Sequence, residues 1–185
     1  MRDALARLCP AVPTLLFPAW DCLPFDRLSP QNALTGQRVA TLARLADAKG
    51  KGADGGQLLV TTVNAIMQRV PPVDYFAERS MMLAPGDAVG PSRLAEFLSA
   101  QGYLRTDTVR ETGEFALRGG IVDIFPPGNT TPVRLDFFGD ELETIRGFDA
   151  ATQRGAERLE GLVLRPVAEF QLDADAIETV SYTHL

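Results

Sequence analysis

With 185 residues, 45 % of them hydrophobic, the chain has apolar material for one medium domain or two small ones. Its 18 basic against 24 acidic residues give a formal charge of -6, which repels phosphate backbones and argues against a domain built mainly to coat nucleic acid. Cys9 and Cys22 lack CxxC spacing and His184 is the sole histidine, so neither a zinc site nor a disulfide framework is indicated; both thiols are expected to be semi-buried in a reducing compartment. No apolar run approaches the roughly 20 residues that cross a bilayer, and Met1-Arg2-Asp3 leads into no signal-peptide core, so a soluble, cytoplasmic chain without membrane contact is expected.

Along the chain, Thr14-Leu15-Leu16-Phe17 reads as a short strand ending at Pro18, and Thr35 as a cap for a helix carrying Val39, Leu42, Leu45 and Ala46 at helical spacing. Beyond a loop over Lys49 to Gly56, Leu58-Leu59-Val60 has the look of a strand buried on both faces. Val63 to Arg69 then reads as a short helix stopped by Pro71-Pro72. This βαβα order predicts an α/β domain with a parallel sheet. The character changes near Arg79. Ser92 is the expected N-cap of a helix with Leu94, Phe97 and Leu98 on its apolar stripe, stopped at Gly102 with Tyr103 behind it. Strands with turns at Gly119-Gly120, Pro126-Pro127-Gly128 and Gly139-Asp140 follow, making residues 80–158 a compact α+β module inserted into the α/β domain. Leu162-Val163-Leu164, closed by Pro166, and a helix-like Asp173 to Val180 make residues 159–180 the return of the first domain, whose first part is 1–79. Residues 181–185 have no helical spacing and are expected to be a non-native tail.

The loop Lys49 to Gly56 has the glycines and lysines of a phosphate loop, but it leaves a helix and enters a strand, and it lacks a GK[ST] ending, so a surface connection is expected. Asp123, Asp136, Asp140, Glu141 and Glu143 do not converge in spacing and have no histidine or lysine beside them as base, so they read as solvated turn acids. No catalytic residue and no metal site is expected. A different signal comes from Val133 to Phe138. Val133, Leu135 and Phe137 share one strand face, leaving Arg134, Asp136 and the large aromatic Phe138 on the other. If Phe115 and Leu117 point inward on their strand, Glu114, Ala116 and Arg118 point outward, and strand pairing can bring Arg118 to Arg134. Two arginines and an aromatic on one face are hot-spot residue types for a protein partner. The alternative is cross-strand pairing of Arg118 and Arg134 with Asp136 or Glu141, with Phe138 half buried.

Several segments together resemble bacterial transcription-repair coupling factors. Phe17 through Pro30 is similar to that family's "W-(D/E)-x-LP(Y/F)D-x-x-SP" segment, followed in family order by Val63 to Val70, Gly113-Glu114, Arg118-Gly119, Arg134 to Phe138, Phe148-Asp149 and Gln153-Arg154. The resemblance implies a partial ATPase-like fold related to the excision-repair protein UvrB, interrupted by a module that binds the damage-recognition protein UvrA. Through the family pattern "TRG…YRLDFF" it implies UvrA contacts at Arg118, Arg134 and Phe138, with Leu117 and Val133 as departures whose side chains face away. UvrB shares the module, but the chain shows neither a phosphate loop nor a tyrosine-rich damage-clamping hairpin, and it carries the Trp20 to Pro30 segment. The implied function is recruitment of UvrA to stalled RNA polymerase in nucleotide excision repair. The parent's motor, its ATP and Mg²⁺, and its RNA polymerase and double-stranded DNA partners are expected outside these residues. A UvrB subunit, or a nucleotide- or metal-dependent nuclease module, is the alternative.

Overall fold

The computed structural model describes residues 5, 7–22, 31–51 and 56–169. The segment Leu23 to Pro30, residues 52–55 of the glycine loop, the helix expected at Asp173 to Val180 and residues 181–185 lie outside the described residues, and the start of that loop, 49–51, is the last turn of a helix. The chain is a mixed α/β structure, and among the described residues no helix is long and apolar enough to cross a membrane.

The first part contains strand β1 (Thr14–Phe17), helix α1 (Asn32–Lys51) and strand β2 (Leu58–Thr61), and β1 and β2 pair in parallel, as a βαβ crossover requires. Two short helices follow, α2 (Val63–Ile66) and α3 (Asp74–Glu78). Thr62 caps α2 by accepting from the Ala65 backbone N–H. The helix ends three residues short of Arg69, and α3 has no counterpart in the sequence reading. Two further expectations fail here. Helix α1 begins at Asn32, so Thr35 lies inside it; of the expected stripe Val39 is buried and Leu42, Leu45 and Ala46 are half-buried, while Arg38, Thr41 and Ala43 are buried beside them. The helix is covered on more than one side, by β1 and α3 and by the loop that carries Pro127 and Gly128. Strand β2 is not buried on both faces, since Leu59 is exposed.

The module opens with β3 (Met81–Leu83) and helix α4 (Pro91–Ala100), then continues as a six-stranded sheet of β4 (Leu104–Arg105), β5 (Glu114–Arg118), β6 (Ile121–Ile124), β7 (Val133–Phe138), β8 (Glu141–Phe148) and β9 (Gly155–Arg158) in sequential order. A last strand, β10 (Leu162–Leu164), pairs antiparallel with β3. Ser92 is not the cap of α4. Gly90 occupies that position with φ 71°, and Pro91 begins the helix, where a missing N–H costs nothing. At the other end Gly102 N–H bonds to Ser99 O and Tyr103 N–H to Leu98 O, with Gly102 at φ 85°, a Schellman stop as the sequence predicted. One face of the sheet packs Phe115, Val122, Ile124, Val133, Leu135, Phe137, Leu142 and Ile145 against Leu94 and Leu98 of α4 and Leu83, Leu162 and Leu164 of the β3/β10 pair. The core thus takes in Leu162 and Leu164, beyond the expected module boundary at 158.

Residues 165–169 tie the two parts together. The Tyr103 hydroxyl donates to Arg165 O, Val167 N–H to Gln101 O and the Tyr75 hydroxyl to Ala168 O, while Arg165 pairs with Asp47 on α1 at 3.0 Å. The strap ends on Glu169, fully buried and paired with the fully buried Arg38 of α1. Arg38 donates to both Glu169 oxygens and to Pro18 O, and its guanidinium carbon lies 4.1 Å from the Phe17 ring centroid and 4.4 Å from that of Trp20. A buried charge is tolerated where its donors are satisfied, and this one is bonded and lies over two aromatic rings.

Candidate protein-docking face

The face of the six-stranded sheet opposite α4 carries the residues that the sequence singled out. On β7, Val133, Leu135 and Phe137 are buried, Arg134 and Asp136 are half-buried, and Phe138 is 78 % exposed, so the period-two reading holds residue by residue. This face is not wholly solvated. Ala116 points to this face, as expected, but is buried there, because Val109 and Phe148, with Phe125 beside them, form a small second core over it.

Strand β6 lies between β5 and β7, and its register places Asp123 directly opposite Ala116 on one side and Arg134 on the other. Both arginines converge there. Arg118 Nη2 donates to Asp123 Oδ2 at 2.5 Å, Arg134 Nε to Oδ1 at 2.6 Å and Arg134 Nη2 to Oδ2 at 2.8 Å. The Asp123 side chain is 1 % exposed, that of Arg134 23 % and that of Arg118 52 %. The guanidinium carbon of Arg134 also lies 4.9 Å from the Phe148 ring centroid. Hydrogen bonding to Asp123 holds the Arg134 guanidinium above its ordinary pKa, against the opposing effect of its partial burial. Two cations on one carboxylate leave a surplus positive charge, and the bidentate fork fixes the plane of the Arg134 guanidinium.

Asp123 therefore corrects the sequence reading: it is a buried strand acid, not a solvated turn acid. The cross-strand pairing expected for Arg118 and Arg134 exists, but with Asp123 and not with Asp136 or Glu141. Asp136 instead accepts from Thr144 Oγ1 at 2.7 Å and pairs with Arg146 on β8. Burial acts to raise the Asp136 carboxyl, but the bonds from Thr144 and Arg146 and the charges of Arg146 and Arg134 outweigh it and hold the group below the usual carboxylate value. The signal that points to Asp123 is an acid in the middle of the otherwise apolar run Ile121-Val122-Asp123-Ile124, where a charge needs a partner. Nothing comparable in the sequence marks Arg146 or Phe148.

Phe138 stands apart from the arginine cluster. It pairs opposite Glu141 at the end of the β7/β8 hairpin, four residues beyond Arg134 and about 13 Å along the strand at the usual rise per residue. Between them Glu143 is an extra residue on β8, since Asp136 faces Thr144 whereas Phe137 faces Leu142. The face thus has two parts, a charged cluster and an exposed aromatic, on one side of one strand. Among the described residues no three or more His, Cys, Asp or Glu side chains gather as metal ligands.

Residues 81–170 match the family described as UvrB interaction domain. Most of the chain is homologous to transcription-repair-coupling factors. It is 37 % identical to that of Haemophilus influenzae over 163 residues, 88 % of this chain and 14 % of that protein. Identity is likewise 37 % over 159 residues with the Escherichia coli factor, 86 % of this chain and 13 % of that protein. For the Bacillus subtilis factor it is 32 % over 169 residues, 91 % of this chain and 14 % of that protein. The chain spans 13–14 % of the length of these relatives. The match to the UvrB interaction domain covers β3 to β10 and so includes the face that carries Arg118, Arg134 and Phe138.

Proposed function

We propose that this region is the adaptor by which a transcription-repair coupling factor recruits UvrA, with Arg118 and Arg134 meeting partner carboxylates and Phe138 anchoring the contact. The observation that carries the reading is the paired presentation of an organised, surplus-positive arginine cluster and a large aromatic left 78 % exposed on the same strand face. Burying such an aromatic in a complex contributes about 1.5–3 kcal/mol, which gives an exposed phenylalanine value only if something covers it. Guanidinium forks are the group that best matches carboxylates on the partner.

In this reading residues 80–158 form the UvrA module, with β10 of the returning segment packed into its core, while residues 1–79 and 159–180 belong to a partial ATPase-like, UvrB-like domain, in keeping with the β1-α1-β2 crossover. Translocation on double-stranded DNA with ATP and Mg²⁺, and RNA polymerase binding, fall to other parts of the longer protein, and this region needs no cofactor. The test is titration of purified UvrA, followed by calorimetry. Arg134→Ala is expected to weaken binding by about 2–5 kcal/mol, because the partner's charge is left unpaired. Thermal unfolding run in parallel separates that loss from any effect on folding. Equal affinity of Arg134→Ala and the unmutated chain overturns the assignment.

A further inference from the structure

We infer that Asp123 is a positioning residue for docking: it fixes Arg134 as the rigid anchor and leaves Arg118 as the arm that turns toward the partner. The inference rests on reading this face as the UvrA contact. The two arginines look equivalent in sequence, and their surroundings make them different. Arg134 spends two donors of its fork, Nε and Nη2, on the two oxygens of Asp123 and lies over the Phe148 ring. Three restraints leave one orientation. Arg118 spends Nη2 alone, on an oxygen that Arg134 already shares, and more than half of its side chain is exposed. Its remaining donors are uncommitted among the described residues, and it borders a cleft of about 460 Å³ lined also by Arg105, Thr106, Asp107 and Leu117.

Asp123 sits on the central strand of the three, fully buried, and its own position is fixed by the β5/β6/β7 ladder. A carboxylate held this way does two opposing things for an acidic partner. It cancels part of the positive charge that attracts the partner, and it removes rotamer freedom that docking otherwise has to freeze. The geometry favours the second effect, because the bidentate fork has already aligned the guanidinium plane before contact. An incoming carboxylate can share Arg134 through Nη1, which has no partner among the described residues, without displacing Asp123, whereas it takes Arg118 over by replacing a single bond.

The kinetics of Asp123→Asn separate the two effects. Asparagine keeps the shape and removes the charge. A positioning role predicts dissociation from UvrA faster by about tenfold, the size of one misaligned charge-assisted bond, with association unchanged or faster because the face is more positive. Unchanged or tighter binding means that Asp123 only masks charge, and this overturns the proposal. Should Asp123→Asn fail to fold, two charge-preserving variants decide. Lysine cannot make the bidentate fork, so Arg134→Lys is expected to lose more affinity than Arg118→Lys. Equal losses, or the reverse order, overturn the proposal. If Arg134→Ala leaves UvrA binding untouched, the docking reading itself has failed; if Arg134→Ala weakens it while Asp123→Asn does not, only this inference has.

Discussion

Two arginines in this molecule are built from nearly the same parts and are put to opposite uses. Arg38 and Arg134 each make a bidentate pair with a carboxylate and lie against aromatic rings, Phe17 and Trp20 for the first and Phe148 for the second. Arg38 and its partner Glu169 are both fully buried, and the pair joins α1 to the strap that leaves the module. Arg134 keeps part of its fork at the surface, and its carboxylate is shared with a second arginine. The fork and the ring are therefore not what marks a recognition site. What separates the two is the charge balance and the access: one carboxylate for one arginine in the clasp, one carboxylate for two on the docking face.

The largest expected effect breaks the clasp. Arg38→Ala leaves Glu169 as a buried, unpaired charge and is expected to lower folding stability by about 3–5 kcal/mol in urea unfolding. Replacing both partners, Arg38→Met with Glu169→Leu, should recover most of that loss, since a well-packed apolar pair often matches a buried ion pair. In either variant UvrA affinity of the folded molecules should hold; a fall in affinity matching the fall in stability would erase the distinction between the two arginines. Next in size, Phe138→Ala should change stability by no more than about 0.5 kcal/mol, because the ring touches little in the free chain, yet weaken UvrA binding by about 2 kcal/mol. Calorimetry that finds the same affinity removes Phe138 from the face. The smallest effect concerns Asp136, whose carboxyl titrates below its ordinary value in the folded chain. Its stabilising contribution is then complete above the unfolded value of about 3.9 and fades as pH falls through the lower folded value. Asp136→Asn should accordingly be less stable than the unmutated chain near neutral pH, with a gap that narrows below about pH 4 in pH-dependent denaturation. A gap that widens on acidification would contradict the pairing with Thr144 and Arg146.

What could be read without coordinates was local. The alternation of Val133 to Phe138 identifies its two faces because a strand's side-chain period is fixed at two, and the Gly102 stop of α4 is visible because few residues tolerate its φ. The start of α4 was misread for the same local reason: Ser92 is a good cap, but Gly90 and Pro91 ahead of it set the boundary. The pairings that define the site are long-range. Arg118 and Arg134 find Asp123 only after β6 is placed between β5 and β7; the apolar neighbours Val122 and Ile124 show that the acid needs a partner, but the register alone says which. Arg38 gives no sign at all, since its partner is 131 residues away and its aromatic neighbours lie on another element. The resemblance named Arg118, Arg134 and Phe138, which share the face, but it carried no information about the buried carboxylate that holds two of them.

Strands β3 and β10 lie side by side, with Met81 opposite Leu164, so the chain enters and leaves the part made of α4 and the six-stranded sheet at one place. The two ends are separated by about one strand spacing, roughly 4.8 Å, which is the gap across any tight hairpin. Such a unit is portable: a host protein can accept it wherever a surface turn joins two adjacent points, without stretching its own backbone. What does not travel with it is orientation. The 165–169 strap and its Arg38 clasp reach back onto a particular helix, so the β3-to-β10 unit moved without them would keep its own core and lose the contacts that fix it against α1.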